Sequence, residues 1–171
     1  MAGFPGFNVI EGFQHSHDYP IASTNTAIGA GDIVQMRDDG FVWRSAAGSG
    51  GGQGTTGMII GIAVHAVAAN TGGVLKVYDD PNLVFRGTSD DASIDLQTDF
   101  GLSYDLVDAA PVNGRSQQLI DGSTGTTSAL QPIKILRLSN IITQAGNVLG
   151  AGVTLDCQFN QHFLKGGSAG I

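Results

Sequence analysis

His15-Ser16-His17 is the first place where residue types and spacing suggest chemistry. In an extended chain, residues two apart share a side, so the two imidazoles form half of a metal site, and the adjacent Asp18 is a conceivable third ligand. No second cluster of His or Cys completes the set, so the expectation is that no metal is bound. His65 lies in a mostly apolar run and His162 close to the C-terminal end; each reads as a hydrogen-bonded structural histidine rather than a general base.

The carboxylates read as turn residues. Asp38-Asp39-Gly40 and Asp79-Asp80-Pro81 carry side chains that bond local backbone N–H groups. Asp90, Asp91, Asp95 and Asp99 miss the twelve-residue calcium-loop spacing, and Glu11 is the one glutamate. No carboxylate pair stands out for glycosidase chemistry. The glycine-rich run Gly48 to Gly57 has no lysine and leads into a strand-like segment, so it is a loop and not a phosphate cradle. Gly48-Ser49-Gly50 lacks the spacing of a nucleophile elbow. Cys157 sits in the alternating run Val153, Leu155, Cys157, Phe159 and reads as core packing. These readings together predict a protein that is not an enzyme, has no cofactor and acts on no small-molecule substrate.

The elements around these residues are short strands. The 171 residues include 26 glycines, 42% are hydrophobic and only 13% charged, a composition suited to strands and tight turns with a weakly charged surface. A formal charge of -7, with no cluster of Lys or Arg, excludes the basic face that a nucleic-acid partner needs. The longest apolar stretch, Met58 to Ala69, is interrupted by Gly61 and His65 and is too short to span a bilayer, so no membrane partner is expected. The single cysteine excludes an internal disulfide, and the start lacks a signal-peptide pattern; the chain is expected to be made in a cytoplasm.

Residues 31–86 predict closely spaced strands: Gly31 to Met36 and Phe41 to Arg44 as a hairpin, then Met58 to Ala69 with a bulge or bend at Gly61, Val74 to Tyr78, and Leu83 to Arg86. Asp90 to Val107 reads as a short helix or irregular strand, Gly114 to Ile120 as a strand, and Asp121 to Ser128 as a polar turn segment. Ile133 to Leu138 and Val153 to Phe159 are further strands. The expected fold is mainly β, a small barrel or sandwich of antiparallel strands spanning 21–171 as a single domain. Residues 1–20 read as an extended N-terminal arm whose aromatics need a surface to cover them. Phe4, Phe7, Val9, Phe13 and Tyr19 are the candidate partner-binding residues. The alternative is that the arm packs on its own domain.

The runs Gly31-Asp32-Ile33-Val34, Asp39-Gly40-Phe41-Val42, Ile60-Gly61-Ile62-Ala63 and Val77-Tyr78-Asp79-Asp80-Pro81-Asn82-Leu83-Val84-Phe85 resemble head cement, or decoration, proteins of tailed bacteriophages. The ending Gln158-Phe159-Asn160-Gln161-His162-Phe163 is similar to the terminal strand of such virion proteins. The resemblance covers about two thirds of the chain and does not include the arm. It implies a small β-barrel that binds the outside of an assembled capsid, with the major capsid protein as partner and a homotrimer as the working unit. The virion is the location so implied. A receptor- or carbohydrate-binding β module of a phage tail or fibre is the alternative, and Trp43, the one tryptophan, is its test residue.

Overall fold

The computed structural model describes residues 6–12, 15–46, 58–94, 97–127, 131–140 and 147–164. Among the described residues eleven strands run in chain order: β1 (Asn8–Glu11), β2 (Ser16–Ile21), β3 (Ile33–Met36), β4 (Val42–Arg44), β5 (Met58–Ala63), β6 (Gly73–Tyr78), β7 (Val84–Thr88), β8 (Ser103–Val107), β9 (Leu119–Thr126), β10 (Ile133–Leu138) and β11 (Thr154–Phe159). They form two sheets, β1-β7-β11-β10-β8-β9 and β2-β6-β5-β3-β4, with antiparallel pairing throughout. The architecture is sandwich-like and not a closed barrel. The first sheet curls until β9 meets the end of β7 at one isolated bridge, Ser89 with Ile120.

The main core lies between the sheets. Val153, Leu155, Cys157 and Phe159 project into it as their alternation predicts, against Ile33, Ile59 and Ile62 from the second sheet. Phe85 stands at its centre, 4.7 Å from the Phe159 ring and 5.5 Å, edge to face, from Phe7. A second core of Ile21, Ile28, Val34, Val42, Ile60, Leu75 and Val77 occupies the other face of the second sheet. That sheet wraps around it until its edge strands β2 and β4 meet.

Two bulges decide which side chains reach which core. Gln35 pairs with Ile59 and Val34 with Gly61, so Ile60 is the extra residue in β5. Ile59 and Ile62 are an odd number of residues apart, which in a straight strand would place them on opposite faces; the bulge brings both into the main core. In β10, Ile135 pairs with Cys157 and Arg137 with Asp156, leaving Leu136 as the extra residue at the surface. Arg137 thereby joins the face where Asp156, buried on β11, pairs with it at 2.9 Å and with Arg86 at 3.5 Å. Glu11 extends this row to β1, 2.8 Å from Arg137. The irregular alternation of Ile133 to Leu138 has this bulge as its cause.

Several sequence expectations are corrected. Residues 1–20, where they are described, pack on their own chain, the alternative that the sequence left open. β1 pairs with β7, and β2 pairs with β6 at all six of its residues and runs past residue 20 to Ile21. Asp121 to Thr126 is strand, not turn, since it continues β9. The strand expected over Met58 to Ala69 ends at Ala63. Asp90 to Val107 resolves into a 3-10 turn at Gln97–Asp99 followed by β8. The glycine run 48–57 lies outside the described residues.

Cys157 is fully buried, and burial pushes its thiol pKa upward. The folded protein should therefore take up no maleimide at pH 8 over hours, and react only as urea unfolds it. Labelling of the native chain at the rate of a free thiol would contradict the burial.

Candidate functional site

Of the five candidate partner-binding residues, the structure describes Phe7, Val9 and Tyr19. Phe7 is 2% exposed and belongs to the main core, so it is not available to a partner. Its burial has a structural cause: its backbone N–H donates to Gly31 O at 3.0 Å, and Gly87 on β7 leaves room for its ring. Val9 is half-buried against the same core and pairs with Phe85. Tyr19 packs on the second core and donates its hydroxyl to Asp79 Oδ2 at 2.5 Å. Phe4 and Phe13 lie outside the described residues. Of the described aromatics of this segment, Phe7 is buried and Tyr19 half-buried against their own chain.

Asp79 is a buried carboxylate that two side chains of β2 contact. It sits after β6, 8% exposed, and its Oδ2 also meets His17 Nδ1 at 2.7 Å. Burial, with Asp79 beside it, raises the pKa of the Tyr19 phenol, which stays protonated as the donor. The spacing of β2 brings His17 and Tyr19 to one side of the strand, and Asp79 reaches them from 62 and 60 residues away in sequence. Sequence reasoning found His17 but not its partner, because only the β2–β6 pairing brings the two together.

The remaining carboxylates include several turn-makers of the kind expected. Asp39, Asp80 and Asp91 each accept a hydrogen bond from the backbone N–H two residues on, at 2.8–2.9 Å; Asp121, within β9, accepts the same bond from Ser123 N–H at 3.1 Å. Asp32 is buried, accepts from Gly29 N–H at 2.6 Å, and has its pKa raised by that burial. The Tyr104 phenol is pushed up to about 12 by burial, with Asp99 adding to it.

His162 is a structural histidine, as the sequence suggests. Buried at 1% exposure, it donates from Nε2 to Ile60 O at 3.0 Å, and its Nδ1 accepts from Leu164 N–H at 3.1 Å. His65, by contrast, is exposed. The next residue after His162, Phe163, donates its N–H to Ile59 O at 2.7 Å. These bonds fix the backbone of Phe163 and Leu164, whose side chains stand 57% and 66% exposed. An aromatic and an aliphatic side chain are thus presented side by side on a pinned backbone. The terminal run Gln158 to Phe163 carried the family resemblance, but burial alone separates its core residues from this exposed pair.

A cleft of about 590 Å³ opens between the sheets, lined by residues that include Phe7, Val9, Ala63, Tyr78, Arg115 and Gln117. Among the described residues its ionisable lining consists of Tyr78 and Arg115. Among the described residues several Lys and Arg side chains are engaged within the chain: Arg44 with Asp108, Lys76 with Asp18, Arg86 and Arg137 with Asp156, and Arg37 over the Trp43 ring at 4.1 Å. One face of the half-buried Trp43 indole is therefore occupied by the Arg37 guanidinium. Among the described residues no three His, Cys, Asp or Glu side chains gather as a ligand set. Comparison with family models, with curated proteins and with solved structures returns no match.

Proposed function

We propose that the chain is a virion structural protein, a cement or decoration protein that binds the outer surface of an assembled phage capsid and stabilises it. In this reading it is not an enzyme, its partner is the major capsid protein, and its working unit on the shell is a homotrimer. The observation that carries the reading is the Phe163–Leu164 pair, exposed at 57% and 66% on a backbone held by buried His162 and by Ile59. Fully burying each such side chain is worth about 1.5–3 kcal/mol, and a pinned backbone loses little further freedom on docking. Internal engagement of several cations favours a weakly charged protein partner over a polyanion. Many copies on a repeating shell turn a modest contact into firm retention.

The test is retention on DNA-free heads purified from the source of the protein. The double variant Phe163→Ser/Leu164→Ser should fold as the parent does and yet dissociate from heads at least tenfold faster. Equal retention of a folded double variant would remove the anchor and with it the support for this reading.

A further inference from the structure

The cleft between the sheets is not used by the proposed function. Its volume of about 590 Å³ lies in the range of small-molecule sites, roughly 300–1,000 Å³. Phe7, Val9, Ile62 and Val64 are among its apolar lining residues, and Arg115 and Gln117 among its polar ones. No Asp or Glu lines it among the described residues, in a chain with 15 acidic side chains against 8 basic ones, so Arg115 sets the sign of the charge there. Arg115 is exposed, and among the described residues no carboxylate or carbonyl pairs with its guanidinium. Its backbone is fixed. Val112 and Arg115 exchange N–H to O bonds at 3.0 Å around Asn113 and Gly114, whose φ of 51° and 72° are those of a tight type I′ turn. Ala30 N–H donates to Gly114 O at 2.9 Å, and Ser116 N–H donates to Ala30 O at 3.0 Å, which ties this turn to the chain before β3. Gly31 joins two other lining segments: Phe7 N–H donates to its O at 3.0 Å, and its own N–H donates to Ala63 O at 2.9 Å. The cleft is thus held open by backbone bonds within the chain, and a ligand entering it has little to order.

We infer that this cleft binds a small organic monocarboxylate, with its apolar body among Phe7, Val9, Ile62 and Val64 and its carboxylate on the Arg115 guanidinium. A guanidinium presents a planar fork that matches the two oxygens of a carboxylate. One cation, with no second Lys or Arg in the lining, matches a single negative charge rather than the several of a polyphosphate. The two parts have separate roles: burial of the apolar body supplies affinity, and the guanidinium selects the anion.

Isothermal titration of the full chain with sodium 2-naphthoate tests this, with uncharged 2-naphthalenemethanol as the control of matching body. One site per chain is expected, and the acid should bind about tenfold more tightly than the alcohol. Arg115→Gln, at an exposed position, should fold as the parent does, weaken the acid about tenfold and leave the alcohol within about threefold. Gln117→Glu, nearly the same in shape, puts an acid into the lining and should also weaken 2-naphthoate about tenfold by repulsion. Backbone amide resonances of Val9, Gly31 and Val64 should move as the acid is added. No binding of the acid at millimolar concentration, or an unchanged affinity for it in a folded Arg115→Gln, overturns the site. Equal binding of acid and alcohol overturns the ligand class, and resonance shifts confined to residues away from the cleft overturn the location.

Discussion

Deleting residues 1–20 should abolish the cooperative unfolding transition of this protein. The sequence suggests the opposite, a removable strap that leaves a folded domain behind. Phe7, however, meets Phe85 edge to face in the main core, and β2 covers the β6 strand whose Leu75 and Val77 are fully buried. Loss of one buried Phe side chain alone costs about 3–5 kcal/mol, out of a total stability of about 5–15 kcal/mol for a domain. The deletion removes that ring, the pairing of β1 and most of β2, and the Tyr19–Asp79 bond. Urea titration followed by tryptophan fluorescence should show no sigmoidal transition for the truncated chain, and Phe7→Ala in the full chain should lose about 3–5 kcal/mol. A truncated protein that unfolds at the parent's midpoint would contradict the packing of both strands.

Gly61→Ala should have an effect of similar size from a single added methyl group. At the β5 bulge, Gly61 has φ of 150°, and a Cβ there would stand 1.9 Å from Tyr78 O and 2.7 Å from Val77 Cγ1. The first of these is backbone and cannot rotate away, so β5 and β6 must separate where Ile62 pairs with Tyr78 and Ala63 with Val77. Overpacking in a core costs about 1–3 kcal/mol when side chains can yield, and more when backbone must move. The variant should be insoluble or lose most of its stability in urea titration. Gly40→Asn is the control: φ there is 78°, which Asn tolerates, and no atom lies within 4 Å of the new Cβ. A Gly61→Ala protein as stable as Gly40→Asn would contradict the bulge.

What the sequence made legible was local. The β3–β4 hairpin follows from Asp38-Asp39-Gly40 between β-branched and aromatic residues, and the inward face of β11 follows from strict alternation. Gly61 marked its bulge because a glycine inside an apolar run has few other reasons to be there. Edge strands were hidden. β1 and β2 are interrupted by Gly12 and contain Pro20, which break any local period, and their pairing depends on β7 and β6 far along the chain. The continuation of β9 through Gly122, Ser123, Thr124 and Gly125 has turn-like composition, yet its edge position, with β8 on one side, tolerates small polar residues. The histidines 15 and 17 were visible as residues, while Asp79 read as a turn former, and the exposed pair Phe163 and Leu164 could not be told from core without burial.

An electron-microscopy map of the particle that co-sediments with the native protein tests the central claim most directly. The account predicts co-sedimentation with intact or DNA-free heads, and density for the two-sheet sandwich on the outer capsid surface in groups of three, with Phe163 and Leu164 against the shell. Density at tails or fibres, or a protein that sediments free of any particle, would contradict it.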